Sequence, residues 1–288
     1  MSSDVRDYYD GNTRAFLRPH RRGAATGTIH RALWAPGVSS RRDALHYIHH
    51  CILAELKHTP TLPTDATFRG LDLGCGVGAS LAWIASQHPG SYHGLTVSPV
   101  QRDIAHTTLP ETCTVHAGDA TNHEDLTAIA GNQPFHAVWM IESFNHIAAT
   151  GDLFAGISQH LSPGGLLLIC DDFLARPPET DAQRRMVDQF RSGWHMHGLT
   201  TAAALQEQSA AHGLTPLPNR TTNLSPYIRH HGIIPTLVRL TATLGTAVGA
   251  SSPWWDNIIG GNALNQLGHQ GLIQYQLLVF QRSPVVAD

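Results

Sequence analysis

Leu71-Asp72-Leu73-Gly74-Cys75-Gly76-Val77-Gly78 is the segment whose residue types and spacing speak most directly of chemistry. An apolar run ends in three alternating glycines and passes into a helical pattern, ASLAWIASQH. Glycine has no Cβ, so a backbone built from it can turn sharply and approach a ligand at a helix N-terminus. The spacing is G-x-G-x-G, not the G-x-G-x-x-G of dinucleotide enzymes. Asp72, just before the loop, suits a cationic or amine-bearing ligand better than a pyrophosphate. Asp119, in the block AGDA, closes a later apolar run. Ligands of an open parallel sheet collect at the strand carboxyl ends, so Asp119 and the glycine loop are expected to face one crevice.

Other reactive side chains gather in three places. Trp139-Met140-Ile141-Glu142-Ser143-Phe144-Asn145-His146 ends a fourth apolar run with a carboxylate and an imidazole. His46 and His50 stand four apart on a helical pattern, and His195 and His197 flank Met196 after Trp194. No third ligand at a recognised spacing follows, so His46 and His50 are expected to be structural, the run Trp194 to His197 is expected to wall a pocket, and no metal site is assigned. The four cysteines, Cys51, Cys75, Cys113 and Cys170, are scattered without a CxxC pair, which points to neither a zinc site nor a disulfide framework.

The elements that must position these groups follow from the rhythm of the chain. From residue 69 the pattern is strand, glycine turn, helix, repeated, which predicts a parallel sheet covered on both faces. LLLICDDF reads as a fifth strand, 181–213 as mostly helical, 214–222 as a sixth strand and 273–282 as a strong last one. Before the sheet, Arg41 to Lys57 carries Leu45, Ile48, Ile52, Leu53 and Leu56 on one helical face. We divide the 288 residues into an N-terminal helical lid (1–66), a core (67–175) and a C-terminal part (176–288) with a substrate cap at about 223–268. Composition narrows the function. Charged residues are 14% of the chain and the net charge is −3, which gives no general attraction to nucleic acid or anionic membrane. The N-terminus lacks an apolar signal region and no run is long enough to span a membrane, so a cytoplasmic protein acting on a small molecule is expected. The apolar stretch 232–250 either packs on a second copy of the chain or walls a pocket.

LDLGCGVG resembles the cofactor loop of the class I S-adenosylmethionine (SAM)-dependent methyltransferases. The resemblance covers roughly residues 69–175, with 273–282 similar to their antiparallel last strand. It implies a Rossmann-like, doubly wound α/β fold with seven strands and helical lid segments. GLTVSPVQ (94–101) is similar to the sterol, tocopherol and cyclopropane-synthase branch. The resemblance implies SAM as cofactor: Gly74 and Gly76 under its methionine part, Asp72 on the amine side, Thr96 and Gln101 as the contacts where other branches place an acidic ribose ligand, Asp119 with Ala120 at the adenine edge. The branch often reads M-E-S-x-E-H-M after strand four. Here Glu142, Ser143 and His146 match, and Asn145 replaces the second acid.

Glu142 also matches a glutamate of prenyl-diphosphate C-methyltransferases. Methyl transfer to an alkene carbon leaves a carbocation, which a buried carboxylate can stabilise and then deprotonate. Glu142 is therefore the expected catalytic residue, with His146 as a base, a phosphate contact or a structural group. Aromatic faces attract a cation, and Tyr9, Trp34, Phe144 and Trp194 are candidates for that role; from the branch, Tyr9, His30 and Trp34 are carried over as residues that close over the methyl donor. Arg14, Arg18, Arg229, His230 and His231 can contact a diphosphate, which would bring Mg²⁺, although no DDxxD cluster is present. Asp171-Asp172 is the acidic pair after strand five and can instead cap a helix. The sequence thus points to C-methylation of an apolar isoprenoid. The alternatives are O- or N-methylation of a small aromatic or polyketide metabolite, and SAM binding without catalysis.

Overall fold

The computed structural model describes residues 13, 27, 28, 30–229 and 253–283. Along them run α1 (Arg41–Lys57), β1 (Arg69–Leu73), α2 (Ala79–Ala85), β2 (Ser91–Thr96), α3 (Pro99–Thr108), β3 (Cys113–Ala117), α4 (His123–Ala130) and β4 (Phe135–Ile141). There follow α5 (Thr150–His160), β5 (Leu161–Leu174), α6 (Asp181–Gly193), α7 (Ala202–Ala210), β6 (Leu214–Pro216), β7 (Thr222–Asn223), α8 (Pro253–His269) and β8 (Ile273–Arg282). Helix starts are set by short polar side chains that take up a free backbone N–H. Ser40, Ser98 and Asn122 do this for α1, α3 and α4, and Thr180 with Gln183 forms a reciprocal capping box on α6.

The strands form one sheet in the order β3-β2-β1-β4-β5-β8-β6, with β7 also on β8. β1 to β5 pair in parallel, and β8 lies antiparallel to β5 from Leu166↔Gln281 to Leu174↔Ile273. This is the Rossmann-like, doubly wound arrangement with an antiparallel last strand. The sheet has eight strands rather than seven, because 214–222 does not run as one strand. Pro216 and Pro218 lack the N–H a continuous ladder needs, so a turn at Pro218–Arg220 separates β6 from β7.

Side chains alternate between the two faces of the sheet. Val138 and Met140 of β4 join a core with Leu153, Phe154 and Ile157 of α5. Ala137 and Trp139 point to the other core, where Ile48, Ile52 and Leu56 of α1 are buried. The apolar stripe of α1 is thus part of the sheet's own core. α6 and α8 share a third cluster through Val187, Phe190, Ala263 and Leu267, beside Leu174 and Ile273 at the end of the β5–β8 pair.

Candidate active site

At the carboxyl end of β1 the chain turns into α2 through glycines with positive φ: 84° at Gly74, 59° at Gly76 and 80° at Gly78. The loop folds back on β2, with Gly74 N and Cys75 N both donating to the Leu95 carbonyl at 2.8 and 3.1 Å. The first two glycines serve different needs. A Cβ on Gly74 would lie 2.4 Å from Ser143 Cβ, whereas one on Gly76 would meet nothing within 4 Å. Gly74 therefore permits contact between the loop and the turn after β4, a contact that Ser143 Oγ closes by donating to Leu73 O at 2.6 Å. Gly76 leaves open space.

The other expected cofactor residues stand around this loop. Asp72 is 2% exposed, and burial pushes its carboxyl up to about 7. Thr96 Oγ1 donates to Gln101 Oε1 at 2.6 Å, and Gln101 Nε2 donates to the buried Thr13 Oγ1 at 3.1 Å. The two side chains are thus held together at the end of β2, with Thr13 joined to Gln101. Asp119 accepts from Thr121 N and Thr121 Oγ1 at 2.9 and 2.8 Å. Asp119 and Thr121 line a small cleft with Ile147, Ala148 and Ala149, and Ala120 turns into the core beside them.

At the end of β4 the structure assembles a cluster that spacing along the chain does not reveal. Glu142 sits at φ 51°, a left-handed conformation that costs a non-glycine residue on the order of 1–3 kcal/mol. Its N–H donates to the Cys170 carbonyl at 2.8 Å, and its side chain is 24% exposed. Oε1 receives the Arg31 backbone N–H at 2.9 Å, the Tyr275 hydroxyl at 2.9 Å and Arg31 Nε at 3.3 Å. Oε2 accepts no hydrogen bond among the described residues. Burial raises the Glu142 carboxyl, but Arg31, His30 and the Tyr275 hydroxyl outweigh it and hold it below the usual range. Arg31 also grips Asp172 of β5 through both terminal nitrogens, Nη1 to Oδ1 at 3.0 Å and Nη2 to Oδ2. Its guanidinium lies 4.4 Å from the centre of the Tyr275 ring.

Asp171 faces the neighbouring turn, where it accepts from Asn145 N at 3.2 Å and Asn145 Nδ2 at 2.8 Å. Burial first, and then the charge of Asp172, pushes Asp171 up to about 7. The acidic pair is therefore not a helix cap: one carboxyl anchors the turn after β4 and the other anchors Arg31. Asn145 stands where the resembling branch often has a second acid, and its Nδ2 donates to Asp171 Oδ1 and to the Asp172 carbonyl at 2.8 and 2.9 Å.

The substrate candidates divide. Trp34 is half-buried under the Arg229 guanidinium, 3.7 Å from the ring centre. His30 Nδ1 donates to the Arg31 carbonyl at 3.1 Å, and its Nε2 lies 3.2 Å from His49 Nε2. His146 Nδ1 lies 3.3 Å from the His195 carbonyl, and burial lowers its pKa. Phe144 is a core residue, 3% exposed and packed with Phe154 and Phe173, which takes its ring away from the crevice. Trp194 is 37% exposed and lies over Gly260 of α8. Tyr9, Arg14, Arg18, His230, His231 and the stretch 232–250 fall outside the described residues. His46 and His50 both pack on Trp83, with ring centres 5.3 and 4.7 Å away. Among the described residues no three histidine, cysteine or acidic side chains are placed to hold a metal ion, and no helix is long and apolar enough to cross a membrane. Arg31 and Tyr275 are the residues the sequence reading passed over. Arg31 lay unremarked between His30 and Trp34, and Tyr275 inside a strand that read only as structure.

Comparison with known proteins agrees with this architecture. Residues 71–167 match the family model described as a methyltransferase domain. The methyltransferase GfsG of Streptomyces halstedii is 27% identical over 72% of this chain and 68% of its own length. The 2-methyl-6-phytyl-1,4-hydroquinone methyltransferase of Synechocystis is 27% identical over 46% of this chain, and the match spans 39% of that enzyme. Geranyl diphosphate C-methyltransferase from Streptomyces coelicolor superposes over 97% of this chain and 96% of its own, with a TM-score of 0.64 at 16% identity, a likeness of fold.

Proposed function

We propose that the chain, whose residues 71–167 match a methyltransferase domain, uses SAM to transfer a methyl group to an alkene carbon of an apolar isoprenoid, free or as its diphosphate, in specialised metabolism. The observation that carries this reading is the Glu142 carboxylate, held by Oε1 and left with Oε2 unbonded among the described residues at the end of β4. Support for the substrate class comes from the phytyl-hydroquinone enzyme among the relatives. It also comes from the sequence match of Glu142 to prenyl-diphosphate C-methyltransferases.

The residues present fit SAM. The space over Gly76 is open, and the buried Asp72 has no cationic partner among the described residues. Asp72 would take the amine side, Gly74 and Gly76 the methionine part, Thr96 and Gln101 the ribose, and Asp119 with Ala120 the adenine edge. When bound, SAM supplies an electrophilic methyl group on a sulfonium centre. A resident Mg²⁺ does not fit the described residues: Asp171 and Asp172 are taken up by Asn145 and Arg31.

The alkene π pair of the substrate would form the new C–C bond to the donated methyl while the S–CH3 pair stays on sulfur, which leaves as the neutral thioether, and a cation would remain on the adjacent carbon. Glu142, held below the usual carboxylate range by Arg31, would set a carboxylate beside the developing cation, which favours it electrostatically. Glu142 Oε2 then takes a proton from the next carbon, and the C–H pair closes a new double bond. A carbocation is so strong an acid that a carboxylate below its usual pKa still accepts the proton. Replacing Glu142→Gln removes the charge at constant shape. Turnover of SAM with a panel of prenyl diphosphates should fall on the order of a hundredfold or more. A near-normal rate would sink the reading. His146, half-buried at the turn after β4 with its Nδ1 by the His195 carbonyl, supports one rival: an imidazole there could take the proton released in O- or N-methylation of a small aromatic or polyketide metabolite.

A further inference from the structure

Three donors meet on one oxygen of Glu142, and two of them come from a single residue. Arg31 gives Glu142 Oε1 its backbone N–H and its Nε, while its terminal nitrogens hold Asp172. The segment that carries Arg31 is fixed independently. Leu33 N donates to Ala44 O of α1 at 2.8 Å, Trp34 N donates to Tyr227 O at 2.7 Å, and Leu33 forms a bridge with Ile228. Arg31 thus arrives at the end of β4 on a braced backbone. It pins a side chain whose own backbone is in the left-handed region.

We propose that Arg31 is a positioning residue for the methyl-accepting site: it fastens Glu142 by Oε1, keeps that carboxyl ionised, and leaves Oε2 as the oxygen turned to the substrate. The inference rests on the proposed role of Glu142. Without Arg31, the carboxylates of Glu142 and Asp172 would face each other with no counter-ion between them, and one would take up a proton. The groups that bear on Glu142 come from every side of the site. His30 precedes Arg31, His146 follows on the turn after β4, Cys170, Asp171 and Asp172 line β5, and Tyr275 reaches in from β8. Among them Arg31 carries the permanent positive charge. Burial lowers the pKa of both His30 and His146. A pin that merely held the N-terminal segment in place would leave the protonation of Glu142 unchanged.

The test reads protonation directly, without turnover. Protein carrying ¹³C at the glutamate carboxyls, with the Glu142 resonance assigned through Glu142→Gln, is titrated from acid to neutral pH. In Arg31→Met the Glu142 midpoint should rise by about one to three pH units above wild type, and in Arg31→Lys it should stay nearer wild type. An unchanged midpoint in Arg31→Met overturns the proposal. If that variant does not fold, Asp172→Asn decides. With the competing carboxylate gone, Glu142 should titrate at or below the wild-type midpoint, and a rise contradicts the assignment. A parallel assay with SAM and geranyl diphosphate should show the acid limb of kcat moving upward in Arg31→Met, with KM changed less than kcat. Wild-type protein that leaves every prenyl diphosphate unmethylated would refute the functional reading while the titration still judges Arg31.

Discussion

The two halves of the crevice are built in different ways. The half formed by β1, β2 and β3 is made of backbone. Its loop, Leu71 to Gly78, is one continuous segment, and its shape comes from positive φ angles and from amides folded onto Leu95. The half formed by β4, β5 and β8 is made of side chains. Arg31, Glu142, Asp172 and Tyr275 lie far apart in the chain and meet through hydrogen bonds and charge. On the proposed reading the first half would hold an unchanging cofactor, and the second could be retuned one side chain at a time for a different methyl acceptor.

That contrast can be broken in graded steps. Gly74→Ala should be the most damaging change. It forces an alanine into φ 84° and drives its Cβ to 2.4 Å from Ser143 Cβ. A stability loss of about 3 kcal/mol or more is expected in denaturant melts, with cofactor binding lost as well. Asn145→Ala strips Asp171 and the Asp172 carbonyl of the amide that joins the turn to β5. It should cost about 2 kcal/mol by the same melts. Gly76→Ala should unsettle the fold less, because its Cβ enters open space. Affinity for S-adenosylhomocysteine by calorimetry should nevertheless fall about tenfold, roughly 1.4 kcal/mol. If Gly74→Ala and Gly76→Ala behave alike, the division between packing glycine and ligand glycine is wrong.

How much of this was legible in the sequence follows the same division. The glycine loop and the strand ends could be read because local spacing encodes them, while the antiparallel sense of β8 came from the family resemblance. The stripe of α1 was equally plain, from Leu45 to Leu56. Arg31, Asp172 and Tyr275 could not be read as a group, since nothing in their neighbours says which strand ends they will meet. Phe144 misled for a related reason: a ring beside a reactive glutamate looks like pocket wall, yet the three-residue turn at Phe144–His146 rotates it into the core. The split of 214–222 into β6 and β7 was signalled by Pro216 and Pro218.

Protonation sharpens the comparison with smaller effects. Asp72 and Asp171 both have folded pKa values raised to about 7 by burial. Each is protonated in the fold at pH values where the unfolded chain has already lost the proton. Stability of the cofactor-free protein should therefore fall as pH rises from the ordinary carboxylate range to about 7, and Asp72→Asn should flatten part of that slope. Glu142 has the opposite sign. Its pairing stabilises the fold above the ordinary carboxylate value and is lost as pH falls through its lowered one. Thermal melts across pH in wild type, Asp72→Asn and Glu142→Gln separate the two slopes. The smallest effect belongs to the surface. Arg184 and Asp181 are both exposed, and Arg184→Ala should change stability by less than about 0.5 kcal/mol.

The central claim is that the side-chain half of the crevice handles a cation on carbon. The most direct measurement supplies SAM with a ¹³C-labelled methyl group, incubates it with the protein and a panel of prenyl diphosphates and phenols, and identifies the atom that receives the label by NMR and mass spectrometry. The account predicts a new methyl on carbon, with loss of an adjacent proton, and almost none of that product from Glu142→Gln. A label found on oxygen or nitrogen, formed equally well by Glu142→Gln, would contradict it.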